Sequence, residues 1–243
     1  MRNSIEVDNI SKYFRLYQDS YTLFRTLKRC VGRRSSQDGF WALRDINFSA
    51  KPGQAIGIIG DNGSGKTTLL RIIAGIYKQT KGDIRINAKV GGSFQLGMAI
   101  HRDLSGLENI FLIGAVMGIG RKDINRRLKA IVKFSELGEF IHTPLRNYST
   151  GMLQKLAVSV VKELDAGIIF FDELLVSGDS NFREKCFEFL IEHKEKGKTL
   201  IVASHSMDII NKLCDKVLLL DKGKQIVFAS SKEALEIYTK HKF

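Results

Sequence analysis

The stretch that most limits the fold is Ala55-Ile-Gly-Ile-Ile, followed at once by Gly60-Asp61-Asn62-Gly63-Ser64-Gly65-Lys66-Thr67-Thr68 and then by Leu69-Leu70-Arg71-Ile72-Ile73. A continuous apolar run of this kind reads as a strand covered on both faces, and the residues after the loop have helical character. Glycines let the loop backbone curl so that successive N–H groups point inward, and the start of the helix adds its partial positive charge. Gly60 to Thr68 therefore reads as a phosphate cradle. Lys66 is set to reach the β- and γ-phosphates of a nucleotide, and the Thr67 hydroxyl is a hard oxygen ligand suited to Mg²⁺.

A metal in such a site needs a carboxylate at the tip of a neighbouring strand, and Ile168-Ile169-Phe170-Phe171-Asp172-Glu173 supplies two. Asp172 is expected to hold Mg²⁺ through water. Glu173, one step beyond the strand, is expected to polarise the attacking water beside the γ-phosphate.

Other β-rich runs fall at Ser4–Ile10, Leu43–Ala50, Asp83–Asn87, Thr199–Ala203, Val217–Leu220 and Gln225–Phe228. Helical periodicity appears at Gly65–Ile76, Gly106–Met117, Asp123–Glu136, Gly151–Leu164, Ser180–Lys196 and Ser231–His241. Strands and helices alternate at the two ends while the middle is nearly all helix. That order predicts an α/β core with a helical insert over roughly residues 97–164. With 243 residues, 44% of them hydrophobic, only Pro52 and Pro144 as prolines and no internal repeat, one domain over residues 1–243 is expected.

Cys30, Cys186 and Cys214 form no Cys-x-x-Cys spacing, which argues against a disulfide framework or zinc site and fits a reducing cytoplasm. The first residues lack a signal-peptide run, and the longest apolar stretch, Ile110 to Ile119, is too short and too glycine-interrupted to cross a bilayer. Lys and Arg number 38 against 26 Asp and Glu, a net charge of +12 that draws the surface to phosphate, nucleic acid or anionic lipid. Part of it gathers between Lys12 and Phe40, where Lys12, Arg15, Arg25, Lys28, Arg29, Arg33 and Arg34 face only Asp19 and Asp38. Tyr21, Phe24, Leu27 and Val31 recur there at near-helical spacing, predicting a short basic amphipathic helix. Two readings stay open for it: a solvated surface excursion, or a contact with an anionic membrane surface or membrane partner.

Asn147-Tyr148-Ser149-Thr150-Gly151-Met152-Leu153-Gln154-Lys155 resembles the signature of the ATP-binding-cassette (ABC) ATPases. Ser149 and Gly151 open a helix whose N-terminus also seeks phosphate. The other motifs follow in that family's order. Gln95 resembles the glutamine loop that senses Mg²⁺ and meets a transporter's coupling helix, Ser177-Gly178-Asp179 resembles the D-loop, and His205 resembles the switch histidine. The family's adenine-stacking aromatic is assigned to Tyr13, with Phe40 or Trp41 as alternatives. Tyr-Ser-Thr-Gly-Met, Asp-Glu followed by Leu-Leu-Val-Ser-Gly-Asp, and Leu104-Ser105-Gly106-Leu107-Glu108-Asn109 are similar to the ATPase subunits of polysaccharide exporters for O-antigen, capsule or teichoic acid.

The resemblance implies a P-loop NTPase fold of the α/β class, an ABC ATPase core with an antiparallel β subdomain and a helical subdomain. It implies ATP and Mg²⁺ as cofactors and a head-to-tail homodimer in which Lys66 of one chain and Ser149 with Gly151 of the other grip each ATP. Two copies of an integral-membrane permease are the expected partners, with lipid-linked polysaccharide as cargo and the cytoplasmic face of the bacterial inner membrane as location. No C-terminal carbohydrate-binding domain of the kind some O-antigen relatives carry is expected. An importer or drug-exporter ATPase would share the same chemistry. A nucleic-acid-acting cassette would also suit the charge, but the coiled-coil insertion or second cassette typical of those proteins is missing from the sequence, and no nucleic-acid partner is expected.

Overall fold

Strand β3 (Ala55–Ile59) is buried at every residue, and its neighbours explain why. In the computed structural model, which describes residues 3–15, 39–92, 100–163, 166–172 and 180–241, β3 lies inside a nine-stranded sheet. The strands run in the order β4-β1-β2-β9-β8-β3-β7-β6-β5. β5 (Val90–Gly92), β6 (Ile168–Asp172), β7 (Thr199–Ala203), β3 and β8 (Lys216–Asp221) are parallel. β9 (Lys224–Ser230) returns antiparallel to β8 and meets β2 (Gly39–Ala50) at Arg44↔Lys224. Beyond it β2, β1 (Ile5–Arg15) and β4 (Lys81–Ile86) form an antiparallel set.

Period-two alternation along the buried strands divides the core in two. Ile59, Ile169, Phe171, Leu200, Val202 and Leu219 face the helices of the chain's middle and C-terminal parts. Ile58, Ile168, Phe170, Ile201, Ala203 and Leu218 face α1 (Lys66–Ile73) and the antiparallel strands. Between β5 and β6 the described residues hold α2 (Gly106–Val116), α3 (Arg121–Ser135), two short 3-10 turns (Gly138–His142 and Leu145–Asn147) and α4 (Thr150–Glu163). After β6 come α5 (Ser180–Glu195), α6 (Met207–Leu213) between β7 and β8, and α7 (Ser231–His241) after β9. Among the described residues no helix is long and apolar enough to cross a membrane.

Three features differ from the sequence expectation. Both ends of the stretch expected to be irregular between Lys12 and Phe40 are paired strand, Lys12 to Arg15 facing Leu43 to Gly39 across β1 and β2. A bulge between Lys12 and Tyr13 hid this pairing by breaking the alternation. The expected amphipathic helix lies outside the described residues. β5 was missed because Val-Gly-Gly carries no apolar run; its strand identity comes from pairing with β6, and a Cβ at Gly92 would crowd the Phe170 ring. α6 was missed because seven residues are too few to show a period.

Candidate functional site

Register alone brings the phosphate loop, a carboxylate and a histidine to one edge of the sheet. Ile58 pairs with Ala203, and Ala203 with Asp172, so β3, β7 and β6 end level with one another. The chain leaves β3 into the Gly60 loop, leaves β7 into Ser204 and His205, and leaves β6 at Asp172. Ligands of parallel α/β sheets sit at this carboxyl edge.

The loop is shaped by residues that tolerate no side chain. Gly60 has φ 145°, and a Cβ there would overlap the Leu220 carbonyl. Gly65 has φ 104° and caps α1, where a Cβ would lie 2.7 Å from Leu43 Cδ2 and 2.8 Å from Ala42 O. With glycine as the cap, no side chain covers the N-terminal amides of α1, and no acidic residue occupies its first turn. The helix therefore presents uncompensated positive charge where the loop curls. Gly223 N donates to Ser64 O at 3.0 Å, and Arg44 N donates to Gly223 O at 2.7 Å, so the β8–β9 turn and β2 hold the loop from behind.

Lys66 is buried at 6% exposure, and its Nζ donates to Gly60 O at 2.7 Å and Asp61 O at 3.1 Å. Its ammonium is thus held inside the loop by backbone carbonyls. Thr67 is exposed, and its hydroxyl lies 3.3 Å from Asp172 Oδ2. The two oxygen groups expected around Mg²⁺ are therefore adjacent, and their hard-donor chemistry fits that ion. The buried Ser64 hydroxyl has no hydrogen-bond partner among the described residues, a second sign that the loop is built for a polar guest. Asp61 and Asn62 form the exposed crest of the loop and Thr68 lies half-buried in α1.

His205 is exposed, between buried Ser204 and Ser206, whose side chain caps α6 by accepting from Ile209 N. Ser149 is exposed at the start of α4, where its hydroxyl accepts from Met152 N at 3.2 Å, and Gly151 is half-buried in the first turn. Gln95, Glu173 and the segment Ser177 to Asp179 lie outside the described residues.

The aromatic residues at the end of the β1–β2 hairpin form two groups. Tyr13 meets Trp41 edge-on at 5.3 Å between ring centres, with Arg44 and Lys81 over the indole. Phe14 meets Phe40 at 5.8 Å and Tyr77 at 5.5 Å, and Tyr77 carries the Arg71 guanidinium of α1. Sequence reasoning missed Phe14 and Tyr77. It also missed Tyr238 of α7, whose hydroxyl donates to Asp61 Oδ1 at 3.1 Å. With the two partners 177 positions apart in the chain, no local pattern could signal that contact.

Comparison with known proteins agrees with this geometry. The family described as ABC transporter matches residues 43–176. The O-antigen export system ATP-binding protein RfbB of Klebsiella pneumoniae is 36% identical over 98% of this chain and 98% of its own length. The teichoic acids export ATP-binding protein TagH of Staphylococcus haemolyticus is 34% identical over 98% of this chain and 89% of its own. The solved "Dimeric structure of a post-hydrolysis state of the ATP-binding cassette MJ0796 bound to ADP and Pi" matches with a TM-score of 0.75. At 22% identity, over 93% of this chain and 98% of that one, the likeness is one of fold.

Proposed function

The chain belongs to the ABC transporter family, and from that premise we propose that it is the ATP-hydrolysing subunit of an exporter of lipid-linked polysaccharide. O-antigen is the first candidate cargo, capsule or teichoic acid the next. The observation that carries the hydrolytic part is the Thr67–Asp172 pair at 3.3 Å, a loop hydroxyl and a strand-tip carboxylate at the sheet edge that also bears His205. The cargo rests on relatives named for polysaccharide export that align over nearly the whole chain.

ATP binds with its phosphates in the Gly60–Thr68 loop, where Lys66 gives up carbonyl contacts for β- and γ-phosphate oxygens. Thr67 and Asp172 would hold Mg²⁺, with Gln95 as a further expected ligand, and the ion would offset charge on the phosphates. Glu173 orients and polarises the water, and His205 donates to the γ-phosphate. Most of the rate enhancement in such chemistry comes from positioning and charge. Adenine stacks on the aromatic end of the β1–β2 hairpin. Comparing ATP affinity in Tyr13→Ala, Trp41→Ala, Phe14→Ala and Phe40→Ala decides which of its two groups is used.

Ser149 and Gly151 complete the nucleotide site of a second copy, so two chains close on two ATP molecules and part after hydrolysis. Two permease subunits receive that motion through the Gln95 segment, which keeps the chain peripheral at the cytoplasmic face. A Lys66→Ala strain is expected to lose its surface glycan while the permease is still made. Intact glycan in that strain overturns the cargo reading, and a purified chain that ignores ATP with and without its permease overturns the whole proposal.

A further inference from the structure

Two stretches of chain meet beside the signature-like segment: the one that follows residues 93–99 and the one that leads into Ser149. Arg146 N donates to Arg102 O at 2.9 Å, Leu145 N to Leu104 O at 3.0 Å and Gly106 N to Thr143 O at 3.2 Å. Ser105 and Pro144 form an antiparallel bridge, and Arg146 pairs with Asp103 at 3.1 Å. The result is a two-stranded clip made without a regular strand.

Asn109 fastens the first stretch to α2. It is fully buried; its Nδ2 donates to the carbonyls of His101, Leu104 and Ser105 at 3.0, 3.1 and 2.8 Å, and its Oδ1 accepts from His101 N at 2.8 Å. Ser105 and Glu108 close a reciprocal capping box on the same turn. Tyr148 fastens the second stretch. The ring is buried, its hydroxyl donates to Phe140 O at 2.6 Å, and it lies so close to Gly106 that a Cβ there would overlap the hydroxyl oxygen. Burial pushes the phenol above its ordinary value, so it remains a donor. The next residue is Ser149.

The two variant motifs singled out in the sequence, Leu104 to Asn109 and Tyr148 to Met152, are therefore one mechanical unit. We infer that Tyr148 seated on Gly106 is a positioning contact for Ser149, fixing the start of α4 to the stretch from Arg102 to Gly106. This rests on the reading of Ser149 as a ligand of the partner's triphosphate. A hydroxyl moved by a fraction of an ångström at that point loses its phosphate contact without touching the phosphate loop of its own chain.

The test uses the purified full chain and reads ATP affinity, kcat, KM and the unfolding midpoint together. Gly106→Ala is expected to lower kcat roughly ten- to a hundredfold while ATP affinity stays within about twofold. Adding Tyr148→Phe removes the oxygen that the new methyl overlaps most, leaving Ile141 Cδ1 and O at 3.0 Å, and kcat is expected to rise severalfold towards that of the unaltered chain. Because the effect passes through Ser149, Gly106→Ala costs nothing further in a Ser149→Ala background. Should Gly106→Ala fail to fold, Tyr148→Phe alone serves, with a smaller fall in kcat, unchanged affinity and the same non-additivity with Ser149→Ala. Effects that add to Ser149→Ala, or a fall in kcat that only follows the folded fraction, overturn the inference. An unaltered chain without ATPase activity both alone and with its permease would instead overturn the function on which it rests.

Discussion

Lys66 and Cys214 show how burial can prime one group and silence another. The Lys66 ammonium is buried, but two loop carbonyls solvate it in place of water. Cys214 has no such support. Burial first, and then the Asp215 carboxylate, push its thiol up to about 12, with Lys194 opposing. Its thiolate is the reactive form and is nearly absent at neutral pH. A thiol reagent at pH 8 is expected to leave both Cys214 and the equally buried Cys186 unmodified in the native chain and to label both after unfolding, as mapped by mass spectrometry. The linkage has a definite sign: the native thiol holds its proton beyond the ordinary value of 9.0, so the stability it contributes is intact below pH 9 and is lost as pH rises towards 12.

Among the elements, the helices that open at Ser149 and Ser180 are joined by one acidic residue. Glu136 ends α3 with φ 54°, a left-handed value that glycine adopts with less strain, and its carboxylate pairs with Lys155 of α4 and Lys185 of α5. Lys155 also sits over the Phe182 ring of α5 at 5.1 Å. The hydrogen bond from Lys185 is the main reason the Glu136 carboxyl is held below its ordinary value. A lowered native value means that the stabilisation is present above the ordinary carboxylate value of 4.5 and disappears as pH falls through the native one. Glu136→Gln is therefore expected to cost up to about 1 kcal/mol at pH 7, the pair being partly exposed, and close to nothing in acid. Unfolding midpoints of the two chains at pH 7 and pH 3 should converge at the lower pH.

At the scale of the whole molecule, two experiments address the parts outside the described residues. Arg15 and Gly39 are cross-strand partners, so the two ends of the intervening segment already stand side by side. Replacing residues 16–38 with a short Asn-Gly turn is expected to leave the unfolding midpoint and ATPase rate nearly unchanged and to weaken membrane association or coupling. Removing Lys12 to Phe40 would instead destroy paired strand. Transport by the 16–38 deletion at the normal rate would leave that segment as mere surface. For the dimer, Glu173→Gln keeps the shape of the side chain and loses its charge, so ATP should bind and hold two chains together. A monomer in saturating ATP, measured by light scattering, would count against Glu173 as the water-activating group.

The class of fold, the glycine loop with its lysine and threonine, the strand tipped by a carboxylate and the order of the remaining motifs were all legible in the residues. All of these depend on short-range geometry: glycines that permit a curl, a strand before it, a helix after it. It took the packed chain to show that β3, β7 and β6 end level and so bring Thr67 to Asp172, that Tyr238 braces Asp61, that Glu136 ties two helices, and that Gly106 is the seat of Tyr148. Each of those contacts joins residues far apart in the chain. Their meeting depends on sheet register and on which buried face packs against which, and neither is written in any local spacing of residues.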